Sequence, residues 1–142
     1  MNREVRHDMK DYSRFRILVV DDEPSICESL LDYLEDFGFD VLAADGAEEA
    51  LEILAKEPRD VAIVDIRLPG MTGENLVMEA HRLQPALRFL IHTGSSNYQP
   101  SEELIRLGIQ PEHVLTKPMR NLTLLKEAIE KLLQKEENHH DQ

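Results

Sequence analysis

Five short apolar runs without polar alternation constrain the fold of this chain more than any other feature. The clearest covers residues 61–64, is rich in β-branched side chains and ends at Asp65, after which residues 66–73 form a loop that contains Pro and Gly. Such a run is too short for a helix, and its lack of alternation is typical of a strand covered on both faces, as in a parallel sheet. We therefore predict strands at residues 15–20, 39–44, 60–65, 87–92 and 114–116.

Segments with helical spacing of apolar residues separate the predicted strands. The first helix begins at Pro24, a residue suited to the first helical turn, carries Leu30 and Leu34 on its apolar face and ends at Gly38. Asp45 is the expected N-cap of the second helix. The other helices are predicted at residues 74–83, in a short stretch that ends at Gly108, and at about residues 121–134.

The alternation of five strands with five helices predicts an α/β fold, because parallel strands are joined by right-handed helical crossovers. The expected class is a doubly wound five-stranded parallel sheet with helices on both faces. With 142 residues, the chain has room for one domain and a real core. We expect that domain at residues 14–135, a flexible N-terminal arm at 1–13 and a charged C-terminal tail at 136–142.

The composition argues against several classes of function. The formal net charge is −12, and no basic stripe is visible, so direct binding of nucleic acid is not expected. Cys27 is the single cysteine, which excludes an internal disulfide and fits a reducing compartment. No apolar run approaches the length of a membrane span. We expect a cytoplasmic protein that does not bind the membrane.

Polar residues with matching chemistry follow four of the predicted strands. They are Asp21 and Asp22 after the first strand, Asp65 after the third, Thr93 after the fourth and Lys117 after the fifth. The carboxyl ends of parallel strands meet at one edge of a sheet, so these side chains should lie together. Three carboxylates repel unless protons or a dication neutralise them, and Mg²⁺ prefers oxygen ligands. With an ammonium and a hydroxyl added, the set indicates a phosphoryl group carried on a carboxylate.

Four short motifs occur in order at these strand ends. They are Asp21-Asp22, Asp65 followed by Leu-Pro-Gly-Met-Thr-Gly at residues 68–73, Thr93-Gly94 and Lys117-Pro118. Each motif alone is weak, but the four together are specific, and they resemble the receiver domain of two-component response regulators, of the chemotaxis-regulator-like kind. The likeness covers about residues 15–135. It implies a flavodoxin-like fold with the strand order 2-1-3-4-5.

The resemblance also implies the acceptor and the metal ligands. Asp65 would accept the phosphoryl group. Asp22 would bind Mg²⁺ directly, and Asp21 through a water molecule or as a second ligand. Asp65 and the backbone carbonyl of Arg67 would complete the protein's share of the metal ligands.

The remaining roles implied by the resemblance concern the phosphoryl oxygens and the water that removes the group. Thr93 and Lys117 would bind the phosphoryl oxygens, and the peptide bond between Lys117 and Pro118 would be cis, an isomer that is rare enough to be a specified feature. Arg67 and Ser95, two positions after Asp65 and Thr93, flank the path of the hydrolytic water in the family. We therefore expect them to modulate the lifetime of the phosphoryl group.

The function implied by the resemblance is a phosphorylation switch. A sensor histidine kinase or a histidine phosphotransfer protein would donate the phosphoryl group to Asp65, and water would later remove it. The added charge would draw Thr93 inward and shift the domain between two packings, which changes the surface offered to a downstream protein target. We expect a single-domain regulator that is not an enzyme, since it catalyses only its own phosphoryl transfer and slow autodephosphorylation.

Two features depart from the family pattern. Most receivers have an aromatic residue three positions before the lysine, where this chain has Val114, so either His113 or Tyr98 replaces that residue or the change at the surface is smaller. The segment from Gly108 to Lys117 is also about two residues longer than usual. The fourth helix and the fifth strand are therefore where this chain is most individual.

Two other classes of function remain as alternatives. A pseudo-receiver would bind partners without phosphorylation, although the intact set of site residues argues against it. A hydrolase with an aspartyl nucleophile, similar to the haloacid-dehalogenase-like phosphatases, would need a second Asp where this chain has Arg67, and a cap for which there is no room.

Single residues also have simpler interpretations. Asp65 fits a turn aspartate and Asp21 a helix cap. Cys27 on the first helix is better explained as a packing residue than as a reactive thiol. His92 is either a buffer for the phosphate or, as is commoner, a packed histidine at a strand end.

Overall fold

The computed structural model describes residues 12–140 of the chain. Within this range the strands cover Arg16–Val20 (β1), Asp40–Ala44 (β2), Val61–Asp65 (β3), Arg88–Thr93 (β4) and Val114–Thr116 (β5). They form one sheet in the order β2-β1-β3-β4-β5, and all neighbouring strands are parallel. The predicted fold class and strand order are confirmed.

Five α-helices of the described range cover the sheet. They are Pro24–Asp36 (α1), Ala47–Lys56 (α2), Gly73–Leu83 (α3), Glu102–Arg106 (α4) and Thr123–His140 (α5). Helices α1 and α5 pack on one face, and α2, α3 and α4 pack on the other. None of these described helices combines the length and the apolar character that crossing a membrane requires.

Strand β3 shows why the apolar runs lack polar alternation. All five of its residues are buried. Ala62 and Val64 pack in the cluster with α2, α3 and α4, whereas Val61 and Ile63 pack in the cluster with α1 and α5. Because successive side chains of a strand point to opposite faces, a central strand between two helical layers needs apolar residues at every position.

The start of α2 differs from the sequence prediction. Asp45 was the expected N-cap, but the N-cap is Gly46, and no side chain caps the helix there. Instead, the carboxylate of Glu49 accepts the backbone N–H of Asp45 at 3.0 Å. The side chain of Glu49 in the first helical turn therefore folds back onto the residue before the N-cap.

The structure adds detail at both predicted ends of the domain. Residues 1–11 of the predicted arm lie outside the described residues, but Tyr12 is buried: its ring stacks on Phe39 with 4.4 Å between the centroids, and its hydroxyl donates to Glu130. The predicted tail at 136–142 is helical up to His140, and residues 141–142 lie outside the described range. Residues 136–140 contain neither Gly nor Pro, so no helix breaker ends α5 before His140.

The longer segment before Lys117 folds into a feature that the sequence did not predict. Residues Pro111–His113 form a 3₁₀ turn directly before β5. The backbone N–H of Gln110 donates to Nδ1 of His113 at 2.9 Å, and the N–H of His113 donates to the carbonyl of Gln110 at 2.8 Å. The extra length is therefore taken up as an ordered turn.

Candidate functional site at the carboxyl edge of the sheet

Three carboxylates lie together where β1 and β3 end. Each of Asp21, Asp22 and Asp65 offers a carboxylate oxygen, and these atoms all lie within 4.8 Å of one another. Asp21 and Asp65 are buried, and Asp22 is exposed. Oxygen ligands at this spacing, partly open to water, suit a hard divalent cation that keeps some of its water ligands.

The register of the sheet explains this arrangement. Strands β1 and β3 are neighbours, and Val20 pairs with Val64, so the next residues along each strand, Asp21 and Asp65, stand side by side. The backbone N–H of Asp21 donates to the carbonyl of Ala44 at 3.1 Å, which continues the ladder between β1 and β2 past the end of β1. The hydrogen bonds of the parallel sheet therefore fix the backbone positions of the residues that carry the carboxylates.

The loop after β3 holds Asp65 through backbone contacts. The N–H of Arg67 donates to Oδ1 of Asp65 at 3.0 Å, and the N–H of Gly73 donates to the carbonyl of Ile66 at 3.0 Å. A Cβ at position 73 would lie 2.4 Å from the carbonyl oxygen of Asp65 and 2.6 Å from Cα of Ile66. Gly73 is therefore required for α3 to begin so close to the end of β3.

The ammonium of Lys117 contacts three carboxylates at once. Its Nζ lies 2.9 Å from Oδ2 of Asp21, 3.2 Å from Oδ2 of Asp65 and 3.2 Å from Oε1 of Glu23. The backbone N–H of Lys117 donates to the carbonyl of Thr93 at 2.7 Å, and the bond to Pro118 is cis. The role of Glu23 is not predictable from the sequence, because an exposed acid at the start of a helix has many ordinary uses.

The pKa values of Asp65 and Lys117 reflect burial and unbalanced charge. Burial raises the pKa of Asp65, and the N–H of Arg67 and the ammonium of Lys117 only partly oppose it. Burial alone would lower the pKa of Lys117, but Asp21 above all, and then Asp65 and Glu23, outweigh that effect and raise it. Lys117 is therefore firmly cationic, and Asp65 is a carboxylate whose charge the site does not fully compensate.

Thr93 and Ser95 occupy the end of β4 and the loop that follows. Thr93 is completely buried, and its hydroxyl accepts the backbone N–H of Ser95 at 3.1 Å. Of the other positions singled out from the sequence, Arg67 and Pro118 are exposed and Val114 is half-buried. The structure thus brings Lys117 into direct contact with Asp21 and Asp65. The Thr93 hydroxyl, in contrast, forms its hydrogen bond within its own loop.

Two neighbouring residues have packing roles. His92 is 3% exposed, and burial, followed by the charge of Lys117, lowers its pKa to about 4, so the ring is neutral and unsuited to buffering. The thiol of Cys27 donates to the carbonyl of Asp21 at 3.2 Å, and burial, followed by the charge of Asp21, raises its pKa to about 11. A thiol so rarely ionised is a packing group rather than a nucleophile.

Comparison with known proteins identifies relatives of this chain. The model of the response regulator receiver domain family matches residues 17–130. The transcriptional regulatory protein AruR of Pseudomonas aeruginosa is 34% identical over 118 residues, which cover 80% of this chain and 47% of AruR. The chain spans about half the length, or less, of the first curated relatives that it matches.

Two similar regulators have solved structures with relevant groups bound. TrrA of Thermotoga maritima in complex with Mg²⁺-BeF is 32% identical, with a TM-score of 0.72 over 83% of this chain and 98% of TrrA. TrrA was also solved in complex with the histidine kinase ThkA, with the same identity and TM-score over 84% of this chain and 98% of TrrA. A Burkholderia pseudomallei regulator with a phosphorylated aspartic acid, a calcium ion and citrate is 27% identical, with a TM-score of 0.68 over 90% of this chain and 75% of that one.

Proposed function

The chain belongs to the response regulator receiver domain family, and from that premise we propose that it accepts a phosphoryl group on Asp65 and transmits the change to a protein partner. The observation that carries the proposal is the contact of the Asp65 carboxylate with the ammonium of Lys117, beside two further acids. A carboxylate of this kind has the nucleophile, and the ammonium the positive charge, that phosphoryl transfer requires.

We propose Mg²⁺ as the cofactor, held by Asp21, Asp22, Asp65 and the backbone carbonyl of Arg67. The donor set supports this choice, because it consists of hard oxygen atoms and because one ammonium faces an excess of carboxylates. When bound, the cation would neutralise negative charge on the transferring group. The calcium ion in the Burkholderia regulator and the Mg²⁺ in the TrrA complex support a divalent cation at this place.

The chain's own residues then have defined tasks in the reaction. A carboxylate oxygen of Asp65 attacks the phosphorus of a phosphohistidine, so that a P–O bond forms as the P–N bond breaks. The ammonium of Lys117 and the hydroxyl of Thr93 bind the phosphoryl oxygens. Water later hydrolyses the acyl phosphate, and Arg67 and Ser95, which flank its path, modulate the rate.

The partners that we propose follow from the same step. The donor is a sensor histidine kinase or a histidine phosphotransfer protein, and the complex of TrrA with the kinase ThkA supports this choice. The target is a downstream protein rather than nucleic acid, since the net charge of −12 disfavours a phosphate backbone. We propose the cytoplasm as the compartment and assign to this chain only its own phosphorylation and dephosphorylation.

Intact mass after incubation with acetyl phosphate tests the proposal. With Mg²⁺, the wild type should gain the mass of one phosphoryl group, and Asp65→Asn should gain nothing. Asp32→Asn, which removes an exposed aspartate from α1, is the matched control and should behave like the wild type. No gain by the wild type would favour a pseudo-receiver, and turnover of many phosphate esters would favour a hydrolase.

A further inference from the structure

A side-chain hydrogen bond joins the two segments that leave the candidate site. The hydroxyl of Tyr98 donates to Oε2 of Glu74 at 2.5 Å. Tyr98 lies in the segment of residues 94–101, which follows Thr93 and ends at α4. Glu74 lies in the first turn of α3, directly after Gly73, whose backbone packs against Asp65. The bond therefore ties the segment after Thr93 to the helix that starts beside Asp65.

A continuous series of contacts leads from Thr93 to this bond. The hydroxyl of Thr93 accepts the backbone N–H of Ser95, and the carbonyl of Ser95 accepts the backbone N–H of Tyr98 at 3.3 Å. The hydroxyl of Tyr98 then reaches Glu74. Movement of the Thr93 hydroxyl would disturb the first of these contacts, and the loop is short enough for the disturbance to reach Tyr98.

The surroundings of Tyr98 keep its hydroxyl in the donating form. Burial, followed by the hydrogen bond and the charge of Glu74, raises the pKa of Tyr98 well above its usual range. The ring is half-buried and packs on the apolar cluster shared by α2, α3 and α4. Hydrogen bonds to a charged acceptor are stronger than neutral ones, so this contact is suited to holding a loop in one position.

Position 114 has no polar group that could make a comparable contact. Val114 is half-buried against the same apolar cluster as Tyr98. Its side chain can fill space there, but it cannot form a hydrogen bond that is made in one position of the loop and lost in another. Tyr98, unlike Val114, therefore has the chemistry of a two-position contact.

We propose that Tyr98 is a positioning residue that holds the segment of residues 94–101 against α3 in the unphosphorylated chain and releases it when the site is loaded. The inference rests on the proposed function, in which Thr93 turns toward a phosphoryl oxygen on Asp65 and gives up its contact with Ser95. The Tyr98–Glu74 bond then opposes loading, because it stabilises only the unloaded arrangement. Loss of the bond should therefore tighten the binding of a phosphoryl mimic.

Titration with beryllofluoride and Mg²⁺, followed by calorimetry, tests this inference. Tyr98→Phe keeps the ring and removes the hydroxyl, and we expect it to bind beryllofluoride roughly threefold to tenfold more tightly than the wild type. Glu74→Ala should act in the same direction, and the double variant should gain no more than Tyr98→Phe alone. Tyr33→Phe, which alters a half-buried tyrosine on α1, is the matched control and should leave the affinity unchanged.

Hydrogen exchange of the unloaded protein supplies a second measurement. Backbone amides of residues 94–101 should exchange faster in Tyr98→Phe than in the wild type, and those of β1 should not change. An affinity for beryllofluoride that is unchanged or weaker in Tyr98→Phe would overturn the role of Tyr98 alone. Failure of the wild type to bind beryllofluoride would overturn the proposed function, and the role of Tyr98 with it.

Discussion

The two edges of the sheet carry the same kinds of charged side chain and use them in opposite ways. At the carboxyl edge, the single ammonium of Lys117 contacts the carboxylates of Asp21, Glu23 and Asp65, and Asp22 lies beside them. Negative charge is in excess there among the described residues. The raised pKa of Asp65 is a direct consequence of that burial and incomplete compensation.

At the amino edge, a buried cation has acceptors for both of its terminal nitrogens, while its Nε has no hydrogen-bond partner. The side chain of Arg59 is 1% exposed, and its guanidinium donates to the backbone carbonyls of Asp40 at 3.0 Å and Ile17 at 3.3 Å. The carboxylate of Glu57 lies 3.4 Å from the same guanidinium. Arg16 contacts the carboxylates of Asp40 and Glu57 at 3.6 and 3.5 Å. Within this group of four side chains, two cations are matched by two carboxylates.

The difference separates a structural site from a functional one. Burying a charge costs free energy unless it is paired and hydrogen-bonded, and at the amino edge the two terminal nitrogens of Arg59 meet this condition with groups from the chain itself. The carboxyl edge does not meet it, because one ammonium faces four carboxylates there. We therefore expect a ligand at the edge that the fold leaves electrostatically incomplete, and a stabilising role for the other edge.

Replacing the buried guanidinium tests the balanced edge and should have the largest effect on stability. Arg59→Leu leaves the carbonyls of Ile17 and Asp40 without their donor, so we expect the free energy of unfolding to fall by about 2–4 kcal/mol. Urea denaturation measures the change. Arg16→Leu, at a side chain that is 41% exposed, should lose less than about 1 kcal/mol. Equal losses in the two variants would contradict a special role for the buried group.

Removing an acid from the unbalanced edge should affect the metal and leave the fold intact. We expect Asp22→Asn to weaken Mg²⁺ binding about tenfold, which corresponds to about 1.4 kcal/mol, because it removes one charged ligand. Without metal, the free energy of unfolding should stay within about 0.5 kcal/mol of the wild type, since Asp22 is exposed. Thermal unfolding with and without Mg²⁺ measures both quantities. A destabilised metal-free variant would show that Asp22 is structural.

The fold is largely predictable from the sequence, and the exceptions share a physical cause. Strand β3 is recognisable because burial on both faces requires an unbroken apolar run. Tyr12 is a lone aromatic residue among polar ones, so no periodicity reveals that it stacks on Phe39. The charged run before His140 looks solvated, but charged residues are compatible with an exposed helix, and composition alone does not distinguish a helix from a coil there.

The candidate site is predictable only as far as the strand ends determine it. The edge shared by Asp21, Asp65 and Lys117 follows from parallel topology, and the structure brings these three side chains into contact. Contacts between different loops are not predictable in this way. Tyr98 and Glu74 are 24 positions apart, and no pattern in the sequence links them. Arg59 is equally hidden, because a charged residue after a proline normally indicates an exposed turn.

The pH dependence of stability gives the finest distinction between the two edges. Burial raises the pKa of Asp65, so the Asp65 carboxyl group holds its proton more tightly in the folded chain than in the unfolded chain. The contribution of this group to stability is therefore present at low pH and is lost as the pH rises through the pKa of the folded state. Without metal, Asp65→Asn should therefore be more stable than the wild type at neutral pH, and the difference should shrink on acidification below that pKa. Urea denaturation across this range measures it.

Asp60 at the amino edge supplies the control for that measurement. Its carboxylate accepts the backbone N–H of Arg16 at 2.7 Å, so Asp60→Asn weakens a charge-assisted hydrogen bond and should gain no stability at neutral pH. Mg²⁺ should narrow the gap between the wild type and Asp65→Asn, since a cation binds more tightly to, and so stabilises more, the chain that keeps all three carboxylates. Equal gains at both edges, or a loss in Asp65→Asn, would mean that the carboxyl edge is already compensated by Lys117 and that its charge does not favour a ligand.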